Sequence, residues 1–208
     1  MIVLGLTGSI GMGKTTVARQ FETLGVQAHD ADAQVHEFFD PAHAVYFDIA
    51  AAFPIHSYPQ IYKASEKGAP KTIDRKALGR VVFANDHDRK RLEAIIHPHV
   101  RAAQDEFKRA QQALGADIVL LDIPLLYETK AEERVDKVIV VTAPYEIQAQ
   151  RVLSRAGMTQ EKFESILATQ MNNDEKCRRA DFIIHTNLGL HESLAQCKNI
   201  LRALKPKS

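Results

Sequence analysis

The run Gly8-Ser9-Ile10-Gly11-Met12-Gly13-Lys14-Thr15 fits the pattern G-x-x-x-x-G-K-S/T, a glycine-rich turn that holds phosphate oxygens. Its glycines let backbone N–H groups close around a phosphate that side chains would keep away. Lys14 can reach β- and γ-phosphates, and the Thr15 hydroxyl can ligate Mg²⁺. A helix opening near Lys14 adds the positive end of its dipole to the same place. Glycine-rich turns after strands are common. Agreement at every fixed position, with a strand before and a helix after, selects nucleoside triphosphate binding over a plain turn.

A second set of residues has the chemistry to act on such a phosphate. Asp30-Ala31-Asp32 lies at the end of an expected second strand, and carboxyl ends of parallel strands face the ligand crevice. In an extended chain Asp30 and Asp32 share a face. One of them can orient an attacking hydroxyl and accept its proton; the alternative is a capping role for a helix beginning near Ala33. Asp122 ends the run Ile118–Leu121 and resembles a Mg²⁺-holding acid, or else has a structural role. Arg151 and Arg155 stand four apart on an expected helix, and Lys176, Arg178 and Arg179 form a second basic cluster. Arginines could close over a triphosphate, although spacing alone favours a solvated basic face. His97 is ambiguous by itself.

These residues need elements to carry them. Ile2–Thr7 reads as a buried strand and Lys14–Leu24 as a helix closed by Gly25, with Val26–Asp30 as a second strand. Strand, loop, helix and strand together imply a parallel sheet with a right-handed crossover. From Ala33 to Asp117 the pattern is mostly helical, broken by an irregular stretch at Phe53–Thr72. Arg75–Ala84 is an expected helix with Asp74 as N-cap. Asp86–Gly115 reads as one long helix or two, with a kink or new start at His97-Pro98. Further strands are expected at Ile118–Leu121, Lys137–Thr142 and Asp181–His185. Helices are expected from Pro144 to about Arg155, after a Thr159 cap, and over His191–Leu204.

Composition sets outer limits. At 208 residues with 45% apolar and 25% charged, the chain is an ordinary globular domain, and a net charge of +1 offers no electrostatic case for nucleic acid or membrane binding. Cys177 and Cys197 have no partners at metal-ligand spacing and read as free thiols in a reducing compartment. The apolar opening run is too short for a membrane span and leads straight into the phosphate turn, so a cytoplasmic location is expected.

Taken together, these residues resemble the dephospho-CoA kinase family nearly end to end. The resemblance rests on Gly8–Thr15, Asp30-Ala31-Asp32, Asp74-Arg75-Lys76-Ala77-Leu78 and Val82-Phe83-Ala84-Asn85. It continues through Ile96-His97-Pro98, Pro124-Leu125-Leu126-Tyr127-Glu128, and Gln170-Met171 with Arg179-Ala180-Asp181. It implies an α/β P-loop kinase fold: a five-stranded parallel sheet flanked by helices, with an inserted helical substrate lobe and a lid. The core would be about 1–32 and 116–208, the CoA-binding lobe about 33–115 and the lid about 151–178. The implied reaction is ATP-dependent phosphorylation of the ribose 3′-hydroxyl of dephospho-CoA, the last step of coenzyme A synthesis.

The same resemblance implies roles for particular residues. ATP and Mg²⁺ are the implied cofactors, held by Gly8, Gly11, Met12, Gly13, Lys14, Thr15 and Thr16, with Arg151 and Arg155 closing from the lid. Asp32 would be the base, supported by Asp30, with Lys14 and Arg151 completing the catalytic set. Arg75 and His97 would lie on the acceptor side, Thr15 would hold Mg²⁺, and Asp122 is a further metal candidate. The implied partner is dephospho-CoA; from composition no nucleic acid or membrane partner is expected, and a monomer is favoured although the sequence does not fix the oligomeric state. Where the family often reads Ile-Asp-Asn or Ile-Asp-Thr, this chain has Ile184-His185-Thr186-Asn187, so adenine contacts there fall to the backbone.

Among rivals, another small-molecule or nucleoside monophosphate kinase shares the loop and the lid arginines, but the long lobe with His97-Pro98 argues against it. A GTPase switch would need an N-K-x-D run, which the chain lacks. A silent CoA or ATP sensor is disfavoured by retention of Lys14, Thr15 and the Asp pair.

Overall fold

Ile2–Thr7 (β1), Gln27–Asp30 (β2), Ile118–Asp122 (β3), Lys137–Thr142 (β4) and Phe182–His185 (β5) pair in parallel as one sheet in the order β2-β3-β1-β4-β5. The computed structural model describes residues 1–63 and 71–204. Residues 64–70, within the irregular stretch of the sequence, lie outside the described residues.

The central strands are near-continuous apolar runs because helices cover both faces of a parallel sheet. Period-two alternation divides their side chains between the faces. Ile139 and Val141 of β4 join Leu4, Leu6 and Leu120 beneath Val17 and Phe21 of Lys14–Thr23 (α1). Val138 and Val140 join Leu121, Leu126 and Tyr127 on the other side. Cys197 packs in the first layer, where burial pushes its thiol up to about 12; burial also raises Cys177. In both free cysteines burial thus favours the protonated thiol.

The remaining helices are Ala31–Glu37 (α2), Ala44–Ala52 (α3), Arg75–Ala84 (α4), Asp86–Ala113 (α5), Tyr145–Leu153 (α6), Gln160–Thr169 (α7), Asn173–Arg179 (α8) and Leu190–Leu204 (α9). The described residues fall into two compact units: 1–30 with 107 onward, and 31–106. The sheet and its flanking helices form the first. The second has its own core, in which Phe38, Ile49, Phe53, Ile61, Ile73 and Leu78 are almost fully buried. Among the described residues no helix is long and apolar enough to cross a membrane.

Several local expectations change. Helix α2 begins at Ala31 rather than near Ala33, so Asp32 sits in a first helical turn and not in an extended chain. The face-sharing of Asp30 and Asp32 therefore does not hold. Of the two readings of the stretch from Asp86, the single long helix holds and the new start at Pro98 does not: α5 runs through it without a break. Proline deletes only its own bond to the carbonyl four residues back, on Ala94, and both residues are exposed, so water can satisfy that group. Helix α6 ends at Leu153 with Ser154 as C-cap, where the Ser154 hydroxyl donates to the Arg151 carbonyl at 3.0 Å. Arg155 thus lies beyond the helix and does not share a helical face with Arg151.

At α4 the expected cap is in place. One Asp74 carboxylate oxygen accepts from the N–H groups of Lys76 at 2.8 Å and Ala77 at 3.0 Å. The Ala77 bond leads in holding the Asp74 carboxyl below its ordinary 3.8. A depressed native pKa means that the stabilisation is full above the unfolded value and is lost as pH falls through the native one. Asp74→Asn keeps a good N-cap but cannot titrate. Thermal melts from pH 6 down to pH 2 should therefore show a shallower acid-side decline for this variant than for the parent.

Candidate active site

The Gly8–Thr15 loop leaves the carboxyl end of β1 and enters α1, so its N–H groups sit between a strand end and a helix N-terminus. Gly8 is required by packing: a Cβ there would overlap Val141 Cγ2 and lie 2.8 Å from the Val141 carbonyl oxygen. Gly13 is required by conformation, with φ of 90° at the N-cap of α1 and an added Cβ only 3.2 Å from Thr186 Oγ1. Gly13→Ala should cost about 1–2 kcal/mol from the left-handed backbone alone. It should lower Tm and weaken ADP binding; calorimetric titration and a thermal melt check both.

Lys14 reaches across the strand ends. Its ammonium lies 2.5 Å from Asp122 Oδ1, the two side chains being 14% and 5% exposed. Asp122 is the last residue of β3 and stands opposite Asp30, the last residue of β2, in the parallel register. The fold therefore brings Lys14, Asp122 and Asp30 to one edge of the sheet. Thr15 and Thr16 lie exposed in the first turn of α1.

Arg151 approaches from the other side. Its guanidinium donates to Thr186 Oγ1 and to the Thr186 carbonyl, each at 2.8 Å, and to the Gly11 carbonyl at 3.5 Å. The Thr186 hydroxyl in turn donates to the Met12 carbonyl at 2.7 Å. Met12 is buried, and its sulfur accepts from the Ala143 N–H at 3.1 Å. Arg151 thus braces the loop through Thr186, whereas Arg155 is exposed in the turn after α6.

The basic cluster at 176–179 is committed elsewhere. It lies on α8, which sequence periodicity missed. Lys176 is fully buried 2.9 Å from Glu128 Oε1, and Arg178 pairs with Glu175 at 2.5 Å. Arg179 pairs with Glu132 at 2.8 Å, its guanidinium 4.5 Å from the centre of the Tyr127 ring. Burial pushes the Tyr127 hydroxyl up to about 12, so it stays neutral beneath Arg179. Lys176 and Arg179 thus join α8 to carboxylates outside it, while Arg178 pairs within the helix, so the three do not face a phosphate as a set.

A cleft of about 530 Å³ opens beside the loop, lined by Ser9, Met12, Thr142, Gln148, Asn173 and His185 among others. His185 ends β5, and Gln196 takes both its N–H, at 2.9 Å, and its C=O, at 3.2 Å. The backbone of residue 185 is therefore already engaged. Asn187 also lines the cleft.

In the second unit, Arg75 lines a cleft of about 980 Å³ with His36, Glu37, Asp40, Lys63 and Lys76. His97 is half-buried on α5 and is not among the lining residues. Asp32 lies exposed in the first turn of α2, two residues beyond Asp30.

Sequence reasoning passed over Gln148, Thr186 and Glu128 as functional residues, and used Gln170 only as a point of resemblance. Uncharged residues and a lone glutamate carry no signal in spacing. A signal existed for Gln148 alone, as a polar residue on the buried side of an amphipathic helix, 3% exposed.

The family profile described as Dephospho-CoA kinase matches residues 2–192. A dephospho-CoA kinase of Mesorhizobium japonicum is 47% identical over 99% of this chain and 98% of its own. One of Agrobacterium fabrum is 48% identical over 98% of each chain. Among solved structures, a Thermus thermophilus crystal structure aligns with TM-score 0.80 at 33% identity over 98% of each chain. A dephospho-CoA kinase from Campylobacter jejuni aligns with TM-score 0.67 at 29% identity, covering 97% of this chain and 96% of that one.

Proposed function

The chain belongs to the dephospho-CoA kinase family, and we propose that it transfers the γ-phosphoryl group of ATP to the ribose 3′-hydroxyl of dephospho-CoA. The products are coenzyme A and ADP, and the step completes coenzyme A synthesis. The observation that carries this reading is the Gly8–Thr15 loop at the end of β1, with Lys14 beside Asp122, in a chain matched over residues 2–192.

The 3′-oxygen attacks the γ-phosphorus as the bond to the β–γ bridging oxygen breaks. Asp32 takes the proton of the hydroxyl, and ADP leaves with the electron pair of the broken bond. Asp30 supports that base from the strand end. Lys14 moves from Asp122 onto the β- and γ-phosphates, and the loop N–H groups hold the non-bridging oxygens. Arg151, already poised against the loop through Thr186, turns its free donors to the transferring group. Arg155 joins it only if the part of the proposed lid (about 151–178) that precedes Gln170 closes, since Met171 and Lys176 are tied to Glu128.

The oxygen donors present suit Mg²⁺, which favours hydroxyl, carboxylate and water ligands. The exposed Thr15 hydroxyl would hold it, with the Asp122 carboxylate alongside once Lys14 has moved away. When bound, the ion neutralises charge on the β- and γ-phosphates. The cleft lined by Met12, Gln148 and Asn187 suits the nucleotide base. In the second unit, the cationic residues Lys63, Arg75 and Lys76 suit the pyrophosphate of dephospho-CoA. His97 is assigned to the same acceptor unit. We place the protein in the cytoplasm, acting as a monomer.

The test is an acceptor panel. Purified protein with Mg-ATP is given dephospho-CoA, AMP, shikimate or pantothenate, and ADP release is followed. Dephospho-CoA alone should support turnover; release with another acceptor and none with dephospho-CoA overturns the reading.

A further inference from the structure

Ile10 occupies a free position of the phosphate-loop pattern, yet both of its backbone polar groups are held by side chains. Gln148 of α6 donates from Nε2 to the Ile10 carbonyl at 2.7 Å, and Gln170 accepts the Ile10 N–H on Oε1 at 3.1 Å. Gln170 is the C-cap of α7, where its own N–H bonds to the Leu167 carbonyl at 3.1 Å. The next residue is anchored as well: the Met171 N–H donates to Glu128 Oε1 at 2.7 Å, the same oxygen that pairs with buried Lys176. The end of α7 is thus tied to the phosphate loop by one residue and to the sheet unit by the next.

We propose that Gln148 and Gln170 are positioning residues: a two-armed amide clamp on Ile10 that couples nucleotide occupancy of the loop to α7. The inference rests on the reading of Gly8–Thr15 as a nucleotide site. A phosphate drawn into the loop moves peptide groups next to Ile10. With both groups of Ile10 already bonded, that movement passes to the body of α6 and the end of α7 and is not absorbed by water. Coupling between two sites is reciprocal, so the nucleotide should order α7 and the clamp should tighten the nucleotide. Arg151 does not duplicate this link, because its bonds go to Gly11 and Thr186 and not to α7.

The experiment uses the full chain with Mg-ADP. Affinity is measured by calorimetry, and opening of α7 by the rate of tryptic cleavage at exposed Lys162 with and without saturating ADP. In the parent, ADP should slow cleavage by about fivefold or more, as expected of a coupling in the usual range. Gln170→Leu should weaken ADP by roughly three- to tenfold, the equivalent of one neutral hydrogen bond, and should lose the protection even at saturation. Gln148→Met, which fills the same buried space without a donor, should act in the same direction. The double variant should be no weaker than the worse single one, because either broken arm frees the loop. A parent that binds no ADP overturns the nucleotide reading and the clamp with it. A parent that binds ADP without protection of α7 overturns the clamp alone. So do variants that match the parent in affinity and protection, whatever their Tm.

Discussion

Lys14→Ala should lower kcat by about a hundred- to a thousandfold or more, the usual loss when a preorganised donor to developing charge is removed. The parent structure predicts a second effect that must be separated from the first. Lys14 is paired with Asp122 at 2.5 Å, and Asp122 is almost wholly buried, so truncating the lysine strips a buried carboxylate of a cation. Asp122 has a further interaction, so the stability cost should be about 1–3 kcal/mol, the range for a buried group losing one partner. The two effects part in a double variant. Lys14→Met with Asp122→Asn has no buried charge to leave unpaired and should recover most of the Tm, yet turnover should stay low. Steady-state ADP release and thermal melts on parent, single and double variants measure this. A Lys14→Ala enzyme with full activity would undo the phosphoryl-transfer scheme.

The sheet was legible because buried parallel strands are continuous apolar runs, and Lys137–Thr142 coincides with its expected bounds. The Asp74 cap and the Thr159 cap were legible for a different reason. A short polar residue before an apolar helical stripe has a local mechanism, and each side chain accepts from the backbone as expected, Thr159 from Lys162 at 3.3 Å. What escaped was decided by distant partners. Residues 173–179 carry mostly polar and charged side chains in under two turns, so no apolar stripe announces α8. The helix forms because Lys176 finds Glu128 and Arg179 finds Glu132 and Tyr127, contacts that span more than forty residues of chain.

The candidate site divides along the same line. Gly8, Gly13, Lys14 and Thr15 announce themselves in one contiguous run, and the Asp30–Asp122 register follows once the sheet order is known. Thr186 is invisible in one dimension, since it sits 174 residues from the Met12 carbonyl it bonds. The arginines show how spacing misleads. Arg151 and Arg155 share a face only if the helix continues, and the turn at Ser154 ends it first. Asp32 is the opposite case: its role was argued from extended alternation, and the helix start at Ala31 removes that argument without touching the chemistry of the carboxylate.

For that reason Asp32→Asn is the substitution that tests the base most directly. A general base contributes about a hundred- to ten-thousandfold to rate, so kcat should fall within that range while ATP affinity stays within about twofold. Asparagine is nearly isosteric and tolerated in a first helical turn, and only a few tenths to about 1 kcal/mol of helix-dipole interaction is lost with the charge. Tm should therefore change little, and a collapse of turnover could not be ascribed to unfolding. Asp30→Asn supplies the comparison. Asp30 ends β2 opposite Asp122, so neutralising it changes the charge beside the Lys14 pair without removing the proposed proton acceptor. Its kcat loss should be at least tenfold smaller than that of Asp32→Asn. The reverse order would move the base to Asp30, and unaltered turnover in Asp32→Asn would remove Asp32 from the mechanism. Stopped-time assays with saturating dephospho-CoA, alongside ATP titration of each variant without acceptor, distinguish the three outcomes.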